Sequence, residues 1–191
     1  MIDRSQQPPL HDIEEFRLLV PQCIVLPNGV KLWVLDSGDA DVTRIDLVLN
    51  AGRHQQTEQL QALFTNRMLR EGTQRLNRIQ IAEQLDFYGA WLEQSVSYEH
   101  SYLTLYSLNK YLQPTVDLLS QMVKQPVFDV QVLEVVKQNN LQRYLTVLQQ
   151  PNIQARRLFQ RKVYGQHILG KMAETSDYEA VSCDMLHAYH Q

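Results

Sequence analysis

Histidine and cysteine are the side chains best suited to hold a metal or move a proton, and here they are scattered. There are six histidines, His11, His54, His100, His167, His187 and His190, and two cysteines, Cys23 and Cys183. His187 and His190 are three apart and share a face if they lie on a helix; His100 stands beside Glu99. A protein zinc site takes three or four donors, and no third donor lies near either pair in sequence. The histidines therefore read as exposed or structural. Neither cysteine has a Cys-x-x-Cys partner, so both read as core-packing residues of a protein in a reducing compartment. A nucleophile elbow and a phosphate-binding glycine loop are absent.

Composition narrows the class. A chain of 191 residues forms one domain, with room for a core that needs no metal or disulfide. Eighteen basic residues against 21 acidic give a net charge of -3, which excludes a globally basic nucleic-acid binder. At 44% hydrophobic, the chain is too apolar to be disordered. No stretch reaches the roughly 20 apolar residues of a membrane span. The opening Met1 to Leu10 lacks an apolar signal core, so the expected location is cytoplasmic, with no membrane partner.

The elements that would position any site can be placed next. Residues 1–20 read as an arm, with Pro8-Pro9 blocking a helix. A hairpin follows, Cys23–Leu26 and Val30–Leu35, its tight turn supplied by Asn28-Gly29. A strand over Thr43–Asn50 buries Ile45, Leu47 and Leu49. Thr57 caps a helix to about Arg70, stopped by Gly72. Asn77 caps another, ended by Gly89. A second hairpin covers Ala90–Ser107, and a helix runs over Thr115–Lys124. Helices over 129–149 and 153–164 follow. Gly165 and Gly170 bracket a loop, and Ser182 caps a last helix. Strand pairs alternating with helices indicate an α+β fold: an antiparallel or mixed β-sheet with helices packed on one face. From Val135 to Ala173 there is no Asp or Glu, while Lys137, Arg143, Arg156, Arg157, Arg161, Lys162 and Lys171 all fall there. This reads as a solvated helical face; its functional alternative is a surface for an acidic partner.

Six short segments, in order, carry a resemblance. They are Leu26-Pro27-Asn28-Gly29-Val30, Val48 to Arg53, and Met68-Leu69-Arg70-Glu71-Gly72-Thr73. Tyr88-Gly89-Ala90 with Ser95 to Glu99, Pro126-Val127-Phe128, and Tyr164-Gly165 to Gly170 complete the set. From about residue 22 to the end, the chain resembles the first domain of the insulinase-like zinc metallopeptidases, which include pitrilysin and the mitochondrial processing peptidases. The resemblance implies a processing-peptidase-like two-layer domain over residues 21–191. It also implies a missing last strand or further domains beyond.

Active members of that family carry H-x-x-E-H on the first helix: two zinc ligands one turn apart, with a general base between them. The resemblance places these on Leu63, Asn66 and Arg67, the third ligand on Arg143, and another helix glutamate on Val136. Leu63 has no lone pair, Asn66 is a neutral amide, and arginine is a permanent cation. No shift of register rescues the third ligand, because the surrounding stretch holds no carboxylate. The expectation is a fold kept and a reaction lost: no catalytic residue, no metal ligand and no cofactor, zinc being the family's.

What survives loss of zinc is strand addition. The resemblance places the family's peptide-binding edge strand on Leu92, Glu93, Gln94 and Ser95, where backbone groups hold the substrate. The two arginines call for an anion or an acidic neighbour, with Glu71, Asp86 and Glu93 as candidates. The leading expectation is a non-catalytic homologue acting as partner or scaffold half of a peptide-processing assembly. Its expected partners are an active insulinase-like subunit or a C-terminal half, a peptide substrate, and a second copy through exposed surfaces. The alternatives are an active zinc endopeptidase whose metal site lies elsewhere, and an interaction domain unrelated to proteolysis.

Overall fold

The computed structural model describes residues 18–191; the Pro8-Pro9 arm and His11 fall outside them. The chain divides into two units, residues 1–40 and 41–191. In the first, β1 (Gln22–Val25) pairs antiparallel with β2 (Lys31–Val34). The turn is longer than Asn-Gly alone would make it. Gly29 N–H donates to the Leu26 carbonyl at 2.8 Å, closing a β-turn with Pro27 and Asn28 at its centre. Only Gly29 takes a positive φ, 83°; Asn28 instead accepts from Val30 N–H through its side chain at 3.1 Å. Proline fixes its own φ for such a turn, which leaves the left-handed position to the glycine. Cys23 on β1 is exposed, correcting the expectation that it packs in a core; two strands alone cannot cover both faces.

The second unit holds β3 (Val42–Leu49), α1 (Gln61–Met68), α2 (Arg78–Phe87), β4 (Trp91–Val96) and β5 (Ser101–Leu108). A 3-10 turn at Asn109–Tyr111 leads into α3 (Leu112–Lys124). Then come α4 (Val130–Leu148), α5 (Pro151–Tyr164), α6 (Thr175–Ala180) and α7 (Cys183–His190). The sheet is antiparallel with order β3-β5-β4, so the fold is α+β as expected. Cross-strand register sorts its two faces. Ile45–Leu105–Leu92 and Leu47–Leu103–Gln94 form rows on the helix side, where Leu103 and Leu105 are fully buried. Asp46–Thr104–Glu93 and Arg44–Tyr106–Trp91 form rows on the other face, where Trp91 and Glu93 are exposed. Phe64, Met68, Ile81, Leu118, Met122, Leu133 and Leu186 complete the core over the first face.

Local chemistry explains most boundaries. Asn77 and Gln80 form a reciprocal capping box at the start of α2, and Gly89 closes it with φ 61°. Asp129 caps α4, Ser182 caps α7, and Pro151 sits in the first turn of α5. The first helix departs from expectation. Thr57 does not cap it; α1 begins at Gln61 after Leu60 in the left-handed region, φ 68°. Gln61 takes over: its Oε1 accepts from Thr57 N–H at 3.0 Å, and its Nε2 donates to the Met185 carbonyl at 2.9 Å. A six-residue α6, absent from the sequence expectations, is held by a Glu174–Asp177 capping box. Its C-terminal end is met by the buried Lys137 ammonium, which donates to the carbonyls of Glu179 (3.2 Å) and Val181 (3.1 Å).

Gly52 marks a close approach. A Cβ there would lie 2.1 Å from the Glu99 carbonyl carbon, because the chain after β3 docks on the β4–β5 turn. Arg53 and His54 N–H donate to the Ser97 and Tyr98 carbonyls at 3.2 and 2.9 Å. Tyr189 donates its hydroxyl to the Gly52 carbonyl at 2.8 Å, and burial pushes that phenol up to about 12. Gly52→Ala is therefore expected to cost about 3 kcal/mol by forced backbone displacement, read as a lowered urea midpoint with unchanged slope.

Candidate functional site

Positions 63, 66, 67 and 143 sit on α1 and α4, and the fold treats them differently. Leu63 is partly buried against the core. Asn66 is 3% exposed and turned to the sheet. Its Nδ2 donates to Ser101 Oγ at 2.6 Å and to the Tyr102 carbonyl at 3.3 Å, so the amide pins α1 to β5. A neutral donor suits this task, since a carboxylate here would have no proton to give Ser101. Arg67 and Arg143 come together: both line one open cleft of about 560 Å³ between the end of α1, α2, β4 and α4. Val136 lines it as well.

The cleft is rich in positive charge. Arg70 and Arg78 add to its wall, and Glu71 is its one carboxylate. Glu71 pairs with Arg78 (Nε to Oε2, 3.7 Å), and its Oε2 makes no hydrogen bond. Asp86 is not part of the cleft, and Glu93 lies on the sheet's other face, accepting from the Trp91 indole N–H at 3.1 Å. Of the three carboxylates expected beside the arginine pair, only Glu71 reaches the cleft, and it is engaged with Arg78. Burial pushes the Arg67 guanidinium below its ordinary value; the Tyr178 phenol opposes this and the nearby Arg143 charge adds to it. Arg67 stays charged at neutral pH all the same, since arginine holds its proton in proteins. Among the described residues neither Arg67 nor Arg143 has a salt-bridge partner.

A divalent cation does not fit this donor set. Guanidinium groups carry no lone pair for a metal, the Asn66 amide is engaged with β5, and Leu63 offers nothing. Among the described residues no group of three His, Cys, Asp or Glu side chains could hold a metal ion. The other histidines are spread apart. His187 and His190 do share a face, packed on the Phe128 ring at 4.8 and 5.9 Å, and His190 Nε2 lies 2.7 Å from the Val123 carbonyl. His100 Nδ1 is 3.9 Å from Glu99 Oε2. Cys183 is a free thiol, half-buried, pushed up mainly by burial.

β4 forms one edge of the sheet: it pairs with β5 alone among the described residues. Leu92 is buried under the helices, while Glu93 and Ser95 are exposed. Gln94 joins strand to cleft. It lines the cleft and donates through Nε2 to the Asn66 main-chain carbonyl. The cleft residues Arg70, Arg78, Asn139 and Asn140 had no signal in the sequence, because nothing local says that α2 and α4 face α1 here.

Comparison with known proteins adds a frame. Residues 33–175 match the sequence model of a family described as Insulinase (Peptidase family M16). Among solved structures, a peptidase M16 inactive domain from Pseudomonas fluorescens superposes with a TM-score of 0.84 at 22% identity, covering 90% of this chain and 43% of that one. A protease from Helicobacter pylori gives 0.81 at 12%, covering 91% and 43%. The periplasmic protease PqqL from Escherichia coli gives 0.74 at 17%, covering 94% and 20%. These likenesses establish the fold, and the chain spans less than half the length of each. No curated protein sequence matches. No helix among the described residues is long and apolar enough to cross a membrane.

Two substitutions test the geometry. Asn66→Ala strands Ser101 Oγ and is expected to destabilise the fold by about 1–3 kcal/mol. Arg143→Glu replaces a repelling neighbour of Arg67 with an attracting one and is expected to stabilise by about 0.5 kcal/mol. Urea titration checks both, and the gain from Arg143→Glu should vanish in an Arg67→Gln background.

Proposed function

The chain belongs to the insulinase family of peptidases, M16, and from that premise we propose that it is a non-catalytic member, the partner or scaffold half of a peptide-processing assembly. One observation carries this reading. Arg67 and Arg143, which the family resemblance assigns to ligand positions, face a single cleft and repel each other there. A site built to hold Zn²⁺ needs lone pairs at those positions and a carboxylate to take a proton from the attacking water. This cleft has neither, and the one carboxylate in its wall is engaged with Arg78.

The peptide-handling half of the machinery does not need the metal. An extended peptide adding to the open edge of β4 along Leu92, Glu93, Gln94 and Ser95 would be held by main-chain hydrogen bonds. The geometry of β4 supports this, since its outer edge is unpaired among the described residues. The length comparison supports a role within a larger assembly, because the similar structures are more than twice this chain's span. An M16 chain carrying H-x-x-E-H would then supply the cleavage, and this chain the wall and the docking edge.

The test is a peptide-cleavage assay in zinc-containing buffer. The purified chain alone is expected to leave extended peptides intact. Added to an H-x-x-E-H-bearing M16 chain from the same genome, it is expected to co-elute with it and raise cleavage several-fold. Cleavage by this chain alone, abolished by a chelator, would contradict the proposal.

A further inference from the structure

We propose that the arginine cleft is a carboxylate-binding subsite, in which Arg67 and Arg143 receive an acidic side chain or the C-terminal carboxylate of a peptide lying along β4. This rests on the edge-strand reading above and goes beyond it by naming what the bound peptide must carry.

Three observations converge. The first is charge: four arginines line the cleft, and the single carboxylate among them, Glu71, is engaged with Arg78. Arg67 and Arg143 are thus left facing each other without a counter-charge among the described residues. The second is environment. Arg67 is partly withdrawn from water, and Ile81, Leu85 and Val136 line the same cleft. Apolar walls lower the local dielectric, so an anion entering here gains more than it would at an open surface, and it relieves the repulsion already present. Guanidinium also presents paired N–H donors that match the two oxygens of a carboxylate.

The third is position. Gln94 belongs both to the open edge strand and to the cleft wall, in the cross-strand row that faces the helices. Side chains of a strand alternate between faces, so a peptide strand added to β4 sends every second side chain to the helix side. A glutamate or aspartate at such a position, or a chain end there, enters the space beside Arg67 and Arg143. A peptide with only neutral side chains gains the backbone bonds and forgoes the ion pair. The cleft therefore selects acidic peptides from those the edge strand could hold.

The experiment uses fluorescein-labelled, C-terminally amidated peptides of one Val/Thr/Gln host sequence, with a single Glu scanned through its positions. The all-neutral host serves as reference, both amidated and with a free C-terminus. Binding to the purified chain is read by fluorescence polarisation. At least one Glu position, or the free terminus, is expected to bind about fivefold tighter than the neutral amide. Which of the two does so identifies the source of the carboxylate. Arg143→Gln and Arg67→Gln are each expected to erase that preference while leaving the neutral host's affinity unchanged; Arg143 is exposed, so its variant should fold normally. Equal affinity for neutral and acidic peptides, or a preference that survives both variants, overturns the subsite and spares the edge strand. Failure of every peptide to bind, the neutral host included, overturns the edge-strand reading and the subsite with it.

Discussion

Two guanidinium groups share one cleft because the helix carrying the first cannot turn away. At its start, α1 is tied by Gln61, which joins the Thr57 backbone to the α7 carbonyl of Met185. Near its end, Asn66 joins it to β5 through Ser101 and Tyr102. Between those ties Phe64 is buried in the core, and Met68 is buried beyond them. Rotating α1 to separate Arg67 from Arg143 would expose those side chains and strand two buried amides, costs larger than the repulsion of two partly solvated charges. The repulsion is therefore built into the packing. The same packing fixes α1 against β4 through Gln94, so the charged cleft and the open sheet edge form one continuous surface.

Much of this was legible in the residues. The capping signals at Asn77 and Ser182 and the closing Gly89 act locally, through side chains bonding backbone groups a few residues away, so sequence reveals them directly. Alternation in β3 exposes its buried face for the same reason. Thr57 misled because it competes with a tertiary solution: Gln61 satisfies Thr57 and reaches Met185, more than a hundred residues distant, and the helix starts late. Asn28-Gly29 misled because Pro27 ahead of it sets the turn one residue earlier. The short α6 has too few residues for a periodic signal. Lys137 looked like one charge among many on a solvated face, and its burial depends on where the end of α6 lands.

The site divides along the same line. The substitutions at positions 63, 66, 67 and 143 were readable through the family resemblance, as was the loss of metal-binding character they imply. Their individual fates were not. Asn66 turned out to be a structural strut, whereas Arg67 and Arg143 meet in solvent-accessible space. The arginines at 70 and 78 become part of the same surface only because α2 packs beside α1. Local sequence carries residue type. Convergence is a property of the packed helices.

The central claim, that four side chains separate this cleft from a metal centre and that two of them repel metal outright, is tested most directly by calorimetric zinc titration. The wild-type chain is compared with the variant carrying Leu63→His, Asn66→Glu, Arg67→His and Arg143→Glu. The account predicts no saturable zinc binding by the wild-type chain and one equivalent bound by the four-fold variant. One equivalent bound tightly by the wild-type chain would contradict it, and so would a correctly folded four-fold variant that binds none.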